Sequence, residues 1–337
     1  MNVLLTGGLG YIGSHTAVVL SHLGHQITAY DNLSNSTELV AKNIEKICGQ
    51  KIKFVKGDVR NTEALKHVLT SFKIDSVIHF AGSKSVAESV KEPMEYYINN
   101  VQSTISLLCA MQLAQVKSLV FSSSATVYGD PVYLPFDEQH PTNPISPYGR
   151  SKLHIEEMLA DVASSDSEWC IACLRYFNPV GAHDSGLIGE NPNGIPSNLM
   201  PYIAQVASGS REVLNVFGND YPTRDGTGVR DYVHVMDIAD GHAAALTYLC
   251  KHPSWQPINL GAGQGYSVLE IIDAFESASG KGIPFRFVPR RAGDIAEFYS
   301  SPIKAQRELN WKASRDLMSM CASTWKFQTQ LTKNQQG

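Results

Sequence analysis

Along the first half of the chain, short apolar runs alternate with stretches in which apolar residues recur at helical spacing. Residues 3–6 form an apolar run that opens into a glycine turn, and the next segment sets Val19, Leu20 and Leu23 facing inward. Residues 26–31 and 51–58 read as second and third strands, with Val40, Ile44 and Ile47 keeping helical spacing between them. Asn61 is placed to cap the following helix, whose stripe is Leu65, Val68, Leu69 and Phe72. Residues 76–82, 118–124 and 170–177 read as further strands, continuous rather than alternating in apolar character, with helical stretches at 93–114 and 147–163 between them. Strands of that texture are covered on both faces. Their alternation with crossover helices predicts an α/β fold built on a doubly wound parallel sheet of the Rossmann kind.

After Phe177 the texture changes. Residues 178–201 are crowded with Gly, Pro and Asn, and loops of this length carry function or belong to a lid. Shorter, mixed elements follow. They predict a smaller mixed α/β domain formed by 178–230 and 262–327, packed over the carboxyl ends of the sheet of domain 1–177. Residues 231–261 read strand-helix-strand and are expected to return to the first domain, and the polar residues 328–337 are expected to form a frayed tail. No internal repeat or low-complexity stretch interrupts this plan.

Composition narrows the classes. The chain has 337 residues, 43% of them hydrophobic and 18% charged, enough to bury a core without disulfides or metal. A net charge of −4 argues against a nucleic-acid or anionic-membrane binder. No run approaches the roughly 20 apolar residues of a membrane span, and MNVLLTGG offers no basic n-region of a signal peptide. Cysteines 48, 109, 170, 173, 250 and 321 are scattered as reduced thiols would be. A soluble, cytoplasmic protein is expected. Cys170 and Cys173 spell C-x-x-C inside an apolar strand, with no second ligand pair for zinc. The histidines form no ligand cluster, so no metal is expected, and His79 reads as a satisfied core residue.

Gly7, Gly10 and Gly13 lie in TGGLGYIG, directly after the first strand and at the mouth of the first helix. Such glycines permit a tight turn, close approach of backbone to a pyrophosphate, and close helix–strand packing. Glycines also serve ordinary turns; strand before and helix after is the context that selects the dinucleotide reading. Asp31 ends the second strand, where a carboxylate accepts from the adenosine ribose and repels a 2′-phosphate, favouring NAD over NADP. Asp58 is placed for the adenine amino group. Phe80, Ala81 and Gly82 flank the cofactor at the end of the fourth strand, with Lys84 in reach.

Tyr148 and Lys152 lie four apart at the start of a helix, so their side chains share one face. The Lys152 ammonium and an oxidised nicotinamide ring would both favour tyrosinate, pulling the Tyr148 pKa down from about 10. A phenolate there can take the proton of an alcohol while hydride leaves for the cofactor. Ser124 can share that proton, with Ser122 and Ser123 as chemically similar rivals.

With TGGLGYIG, the pair in YGRSK and the serines upstream, the chain resembles the extended short-chain dehydrogenase/reductase family. DNLSNS, FSSSATVYGD, LRYFNPVGAH, NLMPYIAQVA and FGNDYPTRDGTGVRDYVHVMDIADGH extend the resemblance to the UDP-glucose (UDP-galactose) 4-epimerase family as far as RELNW at 307–311. The resemblance implies a tightly held NAD, reduced and reoxidised within one turnover, and a 4-keto sugar that turns about its pyrophosphate link before hydride returns. It implies that Tyr148 is the base, that Lys152 holds the nicotinamide ribose and tunes Tyr148, and that Ser124 assists. Tyr11, Ile12, Asp31, Asn32, Asn35, Ser36, Asp58, Val59, Phe80, Ala81, Gly82, Lys84, Asn99, Ser122 and Phe177 would line the NAD site with the glycine turn, Tyr148 and Lys152. Lys84, Ser124, Tyr148, Asn178, Asn198, Leu199, Asn215, Phe217, Arg230, Arg291, Asp294 and Phe298 would hold the UDP-hexose. The arginines suit a diphosphate, which favours fork-shaped cationic donors; Arg286 and Arg290 read as surface charges. A homodimer through helices 93–114 and 147–163 also follows from the resemblance.

Sugar-nucleotide dehydratases share the tyrosine but carry an acid after the active-site Ser/Thr, where this chain has Ala125 and Thr126. Counted from Arg291, the place beside the sugar C2 substituent falls on Phe298, with Tyr299 one residue away. Its bulk predicts poor acceptance of N-acetylated sugars. Two other readings stay open: an epimerase of UDP-N-acetylglucosamine for surface polysaccharide, and a non-catalytic NAD-binding sensor.

Overall fold

The computed structural model describes residues 1–249, 251, 255–291 and 293–336. The first part runs β1 (Asn2–Thr6), α1 (Tyr11–His22), β2 (Gln26–Asp31), α2 (Glu38–Cys48), β3 (Lys53–Lys56), α3 (Thr62–Ser71) and β4 (Ser76–His79). It continues through α4 (Val86–Lys91), α5 (Pro93–Tyr96), a π-helical turn (Tyr97–Gln102), α6 (Ser103–Leu113), β5 (Ser118–Ser124), a 3₁₀ turn (Ala125–Val127), α7 (Pro147–Ser165) and β6 (Cys170–Tyr176). Then come β7 (Asn178–Val180), α8 (Leu199–Ala207), β8 (Leu214–Phe217), β9 (Val229–His234), α9 (Val235–Leu249) and β10 (Trp255–Leu260). The chain closes with β11 (Gly265–Ser267), α10 (Val268–Ser279), β12 (Phe285–Val288), β13 (Glu297–Phe298), α11 (Ile303–Leu309) and α12 (Leu317–Gln336).

Seven strands form one sheet in the order β10-β6-β5-β4-β1-β2-β3, and every pair is parallel. The pleat explains the continuous apolar runs. Val3 and Leu5 pack with Val18, Leu20, Ala239 and Leu246 of α1 and α9. Leu4, pointing the other way, packs with Leu65 and Leu69 of α3, Leu107 and Met111 of α6, and Ile155 and Leu159 of α7. Strand order reverses on either side of β1, so a crevice opens outside the carboxyl ends of β1 and β4, where open α/β sheets bind ligands. Asn61 caps α3 as expected, its Oδ1 accepting from Ala64 N at 3.0 Å.

The later elements depart from the sequence reading in instructive ways. The segment 231–261 divides: β9 pairs with β7, β11 and β13 in a second sheet, whereas β10 completes the first sheet beside β6. Its apolar strands resemble one another, and register alone assigns them to different sheets. Residues 328–336 continue α12, with Gln328 Nε2 donating to Ser208 Oγ at 3.3 Å. Met200, Ile203, Tyr232, Ile271, Phe275 and Met320 pack α8, α10 and α12 on this second sheet. Cys173 is fully buried in the main core; Cys250 lies outside the described residues. Among the described residues no helix is long and apolar enough to cross a membrane.

One buried ion pair ties α7 to the sheet. Arg175 on β6 donates from Nε to Glu156 Oε1 at 3.0 Å and from Nη2 to Oε2 at 2.6 Å, and the two side chains are 5% and 2% exposed. Glu156 also accepts from the Ser123 hydroxyl. Arg175 Nη1 donates to the Tyr128 hydroxyl at 3.0 Å, which donates to Asn259 Oδ1 at 2.6 Å. Removing one member strands the other charge in the core. Arg175→Leu is therefore expected to destabilise the protein by about 3–5 kcal/mol, read as a lower urea midpoint, with Glu156→Leu/Arg175→Leu recovering much of the loss.

Candidate active site

The loop between β1 and α1 is shaped by contacts that exclude side chains. Gly7 adopts φ +64°, and a Cβ there would lie 2.7 Å from Ala81 N, at the end of β4. A Cβ on Gly13 would collide with Gly7 O, which already accepts from Gly10 N at 3.0 Å. The first turn of α1 has neither a side-chain cap nor an acidic residue, so its N–H groups and positive dipole end are open to an anion. Asp31, buried at the end of β2, accepts from Leu9 N at 3.1 Å, Leu33 N at 2.8 Å and Ser36 Oγ at 3.0 Å, binding the second turn to the first.

The remaining nucleotide-end residues sort by what their side chains touch. Asn32 Oδ1 accepts from Ser34 N, and Asn35 Oδ1 accepts from Asn193 N at 3.3 Å. Asp58 is gripped by Arg60, Nη2 to Oδ2 at 2.6 Å, and those hydrogen bonds hold its carboxyl below the usual range. The side chains of Ile12 and Val59 pack into the two cores, leaving only their backbone for a ligand. Phe80 lies on His242, ring centroids 4.7 Å apart. Asn99 offers its carbonyl to Ser103. Its neighbour Asn100, which the sequence reading passed over, does the structural work: Oδ1 accepts from Ser83 N at 2.7 Å, and Nδ2 donates to Ser151 Oγ at 3.0 Å. The π-helical turn thereby ties the loop after β4 to α7. His79 is satisfied by Thr6 and Thr104, and burial holds its imidazole down to about 3.

Ser146 caps α7, Oγ accepting from Gly149 N at 3.1 Å, and starts the turn that carries Tyr148 and Lys152. Lys152, 5% exposed, donates to Ser122 O at 2.7 Å and lies 4.7 Å from the centre of the Phe121 ring. Burial lowers its pKa to about 8, with Glu156 one turn along acting in the opposite sense. The three serines have separate partners. Ser122 gives its carbonyl to Lys152, Ser123 bonds Glu156, and Ser124 is the serine near enough to the Tyr148 phenol to act on its pKa. Ser124 Oγ also accepts from Thr126 N at 3.2 Å and Thr126 Oγ1 at 2.9 Å. With both lone pairs engaged, its own proton is the one left to donate.

The Tyr148 pKa departs from the sequence expectation. Burial raises it above the ordinary value, and the nearby Ser124 hydroxyl alone acts against that rise. Lys152 spends its charge on Ser122 O and the Phe121 ring, so the protein by itself does not acidify the phenol. The second positive charge in the expectation belongs to the cofactor.

From Ser124 a chain of contacts leads to the other candidates. Ala125 and Phe177 share a buried cluster with Phe136 and Phe298. The Phe298 ring lies 4.6 Å from Phe136 and 5.4 Å from Phe177, whereas Tyr299 turns towards Gly265; alternation along β13 puts Phe298 on the site side. Asn178 follows Phe177 and pairs with Tyr232. Phe298 pairs in register with Arg230. Arg230 Nη2 reaches Asp294 at 2.8 Å, and Arg291 Nε reaches the same carboxylate at 3.4 Å. The Arg291 guanidinium covers the Phe217 ring at 4.6 Å. Asn215, two residues before Phe217, is engaged by Arg286 Nε at 2.8 Å, so Arg286 is more than a free surface charge; Arg290 likewise pairs with Asp220. Asn198 precedes α8, whose first turn carries no side-chain cap, and the Leu199 side chain packs into the core beneath. Lys84 and Asn198 both donate to Glu190 Oε1. Glu190 lies in a loop with no spacing signal and was missed by the sequence reading. Asp231 was missed too: buried, it accepts from Ala262 N, Gly263 N and both donors of Ser300, fastening β13 beside β9. Burial raises its pKa to about 6 against those bonds. Among the described residues no group of three or more His, Cys, Asp or Glu is placed to hold a metal.

A family model described as GDP-mannose 4,6 dehydratase matches residues 4–324. The UDP-glucose 4-epimerase of Bacillus subtilis (strain 168) is 53% identical over 329 residues, 98% of this chain and 97% of that one. A solved UDP-glucose-4-epimerase from Stenotrophomonas maltophila, with bound NAD and formylated UDP-arabinopyranose, matches with a TM-score of 0.98 at 52% identity over 99% of each chain. The UDP-glucose 4-epimerase from Bifidobacterium longum, in complex with NAD+ and UDP, matches with a TM-score of 0.95 at 49% identity over 98% of each chain. The dehydratase description meets no acid beside Ser124, where Ala125 and Thr126 stand. At about half identity over nearly its whole length, this chain belongs to the UDP-glucose 4-epimerase family.

Proposed function

We propose that the protein interconverts UDP-glucose and UDP-galactose as an NAD-dependent 4-epimerase, with Tyr148 as general base. The observation that carries this reading is the buried Tyr148 phenol on the face of α7 that carries Lys152 one turn further along, with Lys152 fixed to Ser122 O on β5 and Ser124 at the end of that strand. The residues fit the dinucleotide: a cradle that a Cβ on Gly7 would fill, an uncapped helix start for the pyrophosphate, and Asp31 for the ribose. Gly7, Gly10, Gly13, Tyr11, Asp31, Lys84 and Lys152 would hold it. NAD, when bound, supplies the acceptor and donor of hydride for C4 of the sugar.

Tyr148 takes the proton of the 4-hydroxyl and returns it to the 4-keto oxygen after the sugar has turned about its diphosphate link. Ser124, set as a donor by Thr126, is placed to donate to the phenolate and stabilise it. Lys152 keeps two N–H donors for ribose hydroxyls beyond the one given to Ser122 O. Arg230 and Arg291, steadied by Asp294, supply fork-shaped cations to the diphosphate. Phe217 offers a ring face to the uracil, and the Asn198–Leu199 end of α8 offers free N–H groups. Phe298, braced by Phe136 and Phe177, narrows the C2 side and weighs against amino sugars. Exposed Met94, Ile105 and Leu113 on α5 and α6 support a homodimer through these helices.

UDP-galactose given to the purified protein without added nucleotide should turn into a mixture with UDP-glucose, followed by proton NMR. If UDP-galactose persists even with NAD supplied, this reading fails. Tyr148→Phe should lower kcat by about 10²–10⁴-fold while the nucleotide content of the purified protein stays constant. Phe298→Cys should gain turnover of UDP-N-acetylglucosamine; absence of that gain places the C2 wall elsewhere.

A further inference from the structure

The segment from Gly181 to Asn198 is a strap, fastened to the nucleotide end at points distant in sequence. Tyr11 OH donates to Gly181 O at 2.6 Å. Asn43 Nδ2 donates to Leu187 O at 2.9 Å. Asn193 donates twice, from N to Asn35 Oδ1 and from Nδ2 to Ser34 O, both at 3.3 Å. The firmest attachment is Glu190. Its carboxylate is 9% exposed, and Oε1 accepts from Lys84 Nζ and from Asn198 Nδ2, each at 2.7 Å.

Two of the groups that the strap engages, Tyr11 and Lys84, are among those proposed to hold the dinucleotide, and a third, Asn35, is expected to line its site. A carboxylate beside a pyrophosphate site is repulsive unless neutralised, and Lys84 neutralises this one. The value of Glu190 therefore lies in closing the strap across the site rather than in touching the ligand. We infer that Glu190 is a positioning residue for the resident dinucleotide: by clasping Lys84 and Asn198 it holds the 181–198 strap closed and sets the rate at which the cofactor leaves. The inference rests on the epimerase reading and explains how an NAD recycled within each turnover is kept.

The test follows cofactor release rather than turnover. Protein purified with its nucleotide is diluted into an excess of a fluorescent NAD analogue, and the NAD left in the protein fraction is measured over time. Glu190→Ala is expected to release NAD about 10–100-fold faster, the scale of a hydrogen bond to a charged group. Glu190→Gln, whose amide oxygen still accepts from both donors, should fall between that variant and the wild type. Asn193→Ala, losing the bond to Ser34 O, should also speed release, by less. Thermal melting of the cofactor-stripped variants should match the stripped wild type. Release from Glu190→Ala at the wild-type rate overturns the clasp alone. So does a stripped Glu190→Ala protein that melts well below wild type while Asn193→Ala keeps its NAD normally. A wild-type protein that carries no NAD overturns the functional reading, and the clasp with it.

Discussion

The Glu156–Arg175 pair is the constraint on which the site depends. A carboxylate and a guanidinium buried together are tolerable only when each finds its full set of partners, and here those partners are the parts that must be kept in register. Glu156 lies on α7 one turn beyond Lys152 and two beyond Tyr148, so holding it holds the face that carries both. Ser123, which bonds Glu156, stands between the serine that receives Lys152 and the serine that meets Tyr148. Arg175 passes the constraint through Tyr128 to Asn259, whose Nδ2 bonds Phe136 O at 3.1 Å. Phe136 in turn supports Phe298. One ionic contact thus couples the helix face that carries Tyr148 and Lys152 to the cluster around Phe298.

The two ends of the site are built from different materials. At the nucleotide end the surfaces are mostly backbone: an uncapped helix start, a glycine that lets β1 and β4 approach, and a carboxylate already saturated by the turn it organises. Backbone is poor at discrimination but firm, which suits a cofactor that stays. The end proposed for the sugar is made of side chains from several elements: Arg230 on β9 and Phe298 on β13 of the second sheet, and Asn215 and Phe217 on β8, which pairs with β12. Its cations share one carboxylate, Asp294, and Arg291 also lies over the Phe217 ring. The same arrangement leaves Tyr148 above its ordinary pKa in the protein alone, so acidifying the phenol falls to the cofactor's charge.

Much of this was legible in the chain. The continuous apolar strands, the helix stripes and the Asn61 cap are local patterns, and local patterns survive into structure where a two-faced sheet rewards them. The glycine turn, Asp31 and the Tyr148–Lys152 spacing were readable for the same reason: each motif sits within one turn or one strand end. Ser124 was named from the resemblance, but what separates it from Ser122 and Ser123 was not readable from three identical neighbours, because it depends on Lys152, Glu156 and Thr126 reaching them. Nor could β9 be separated from β10, since both are short apolar strands and only pairing partners tell them apart.

By itself, then, the sequence determined the sheet, its glycine cradle and the Tyr148–Lys152 pair on one helix face, because those follow from periodicity and from residue chemistry at fixed short spacing. Tertiary structure alone decided that Ser122 and Ser123 are taken up by Lys152 and Glu156, that Asn100 rather than Asn99 ties its turn to α7, that Arg230 and Arg291 share Asp294, and that Glu190 meets Lys84 across 106 residues and holds Asn198 as well. The physical reason is that hydrogen bonds and ion pairs are set by distances of about 3 Å, and contacts between remote segments exist only once the core has closed around them.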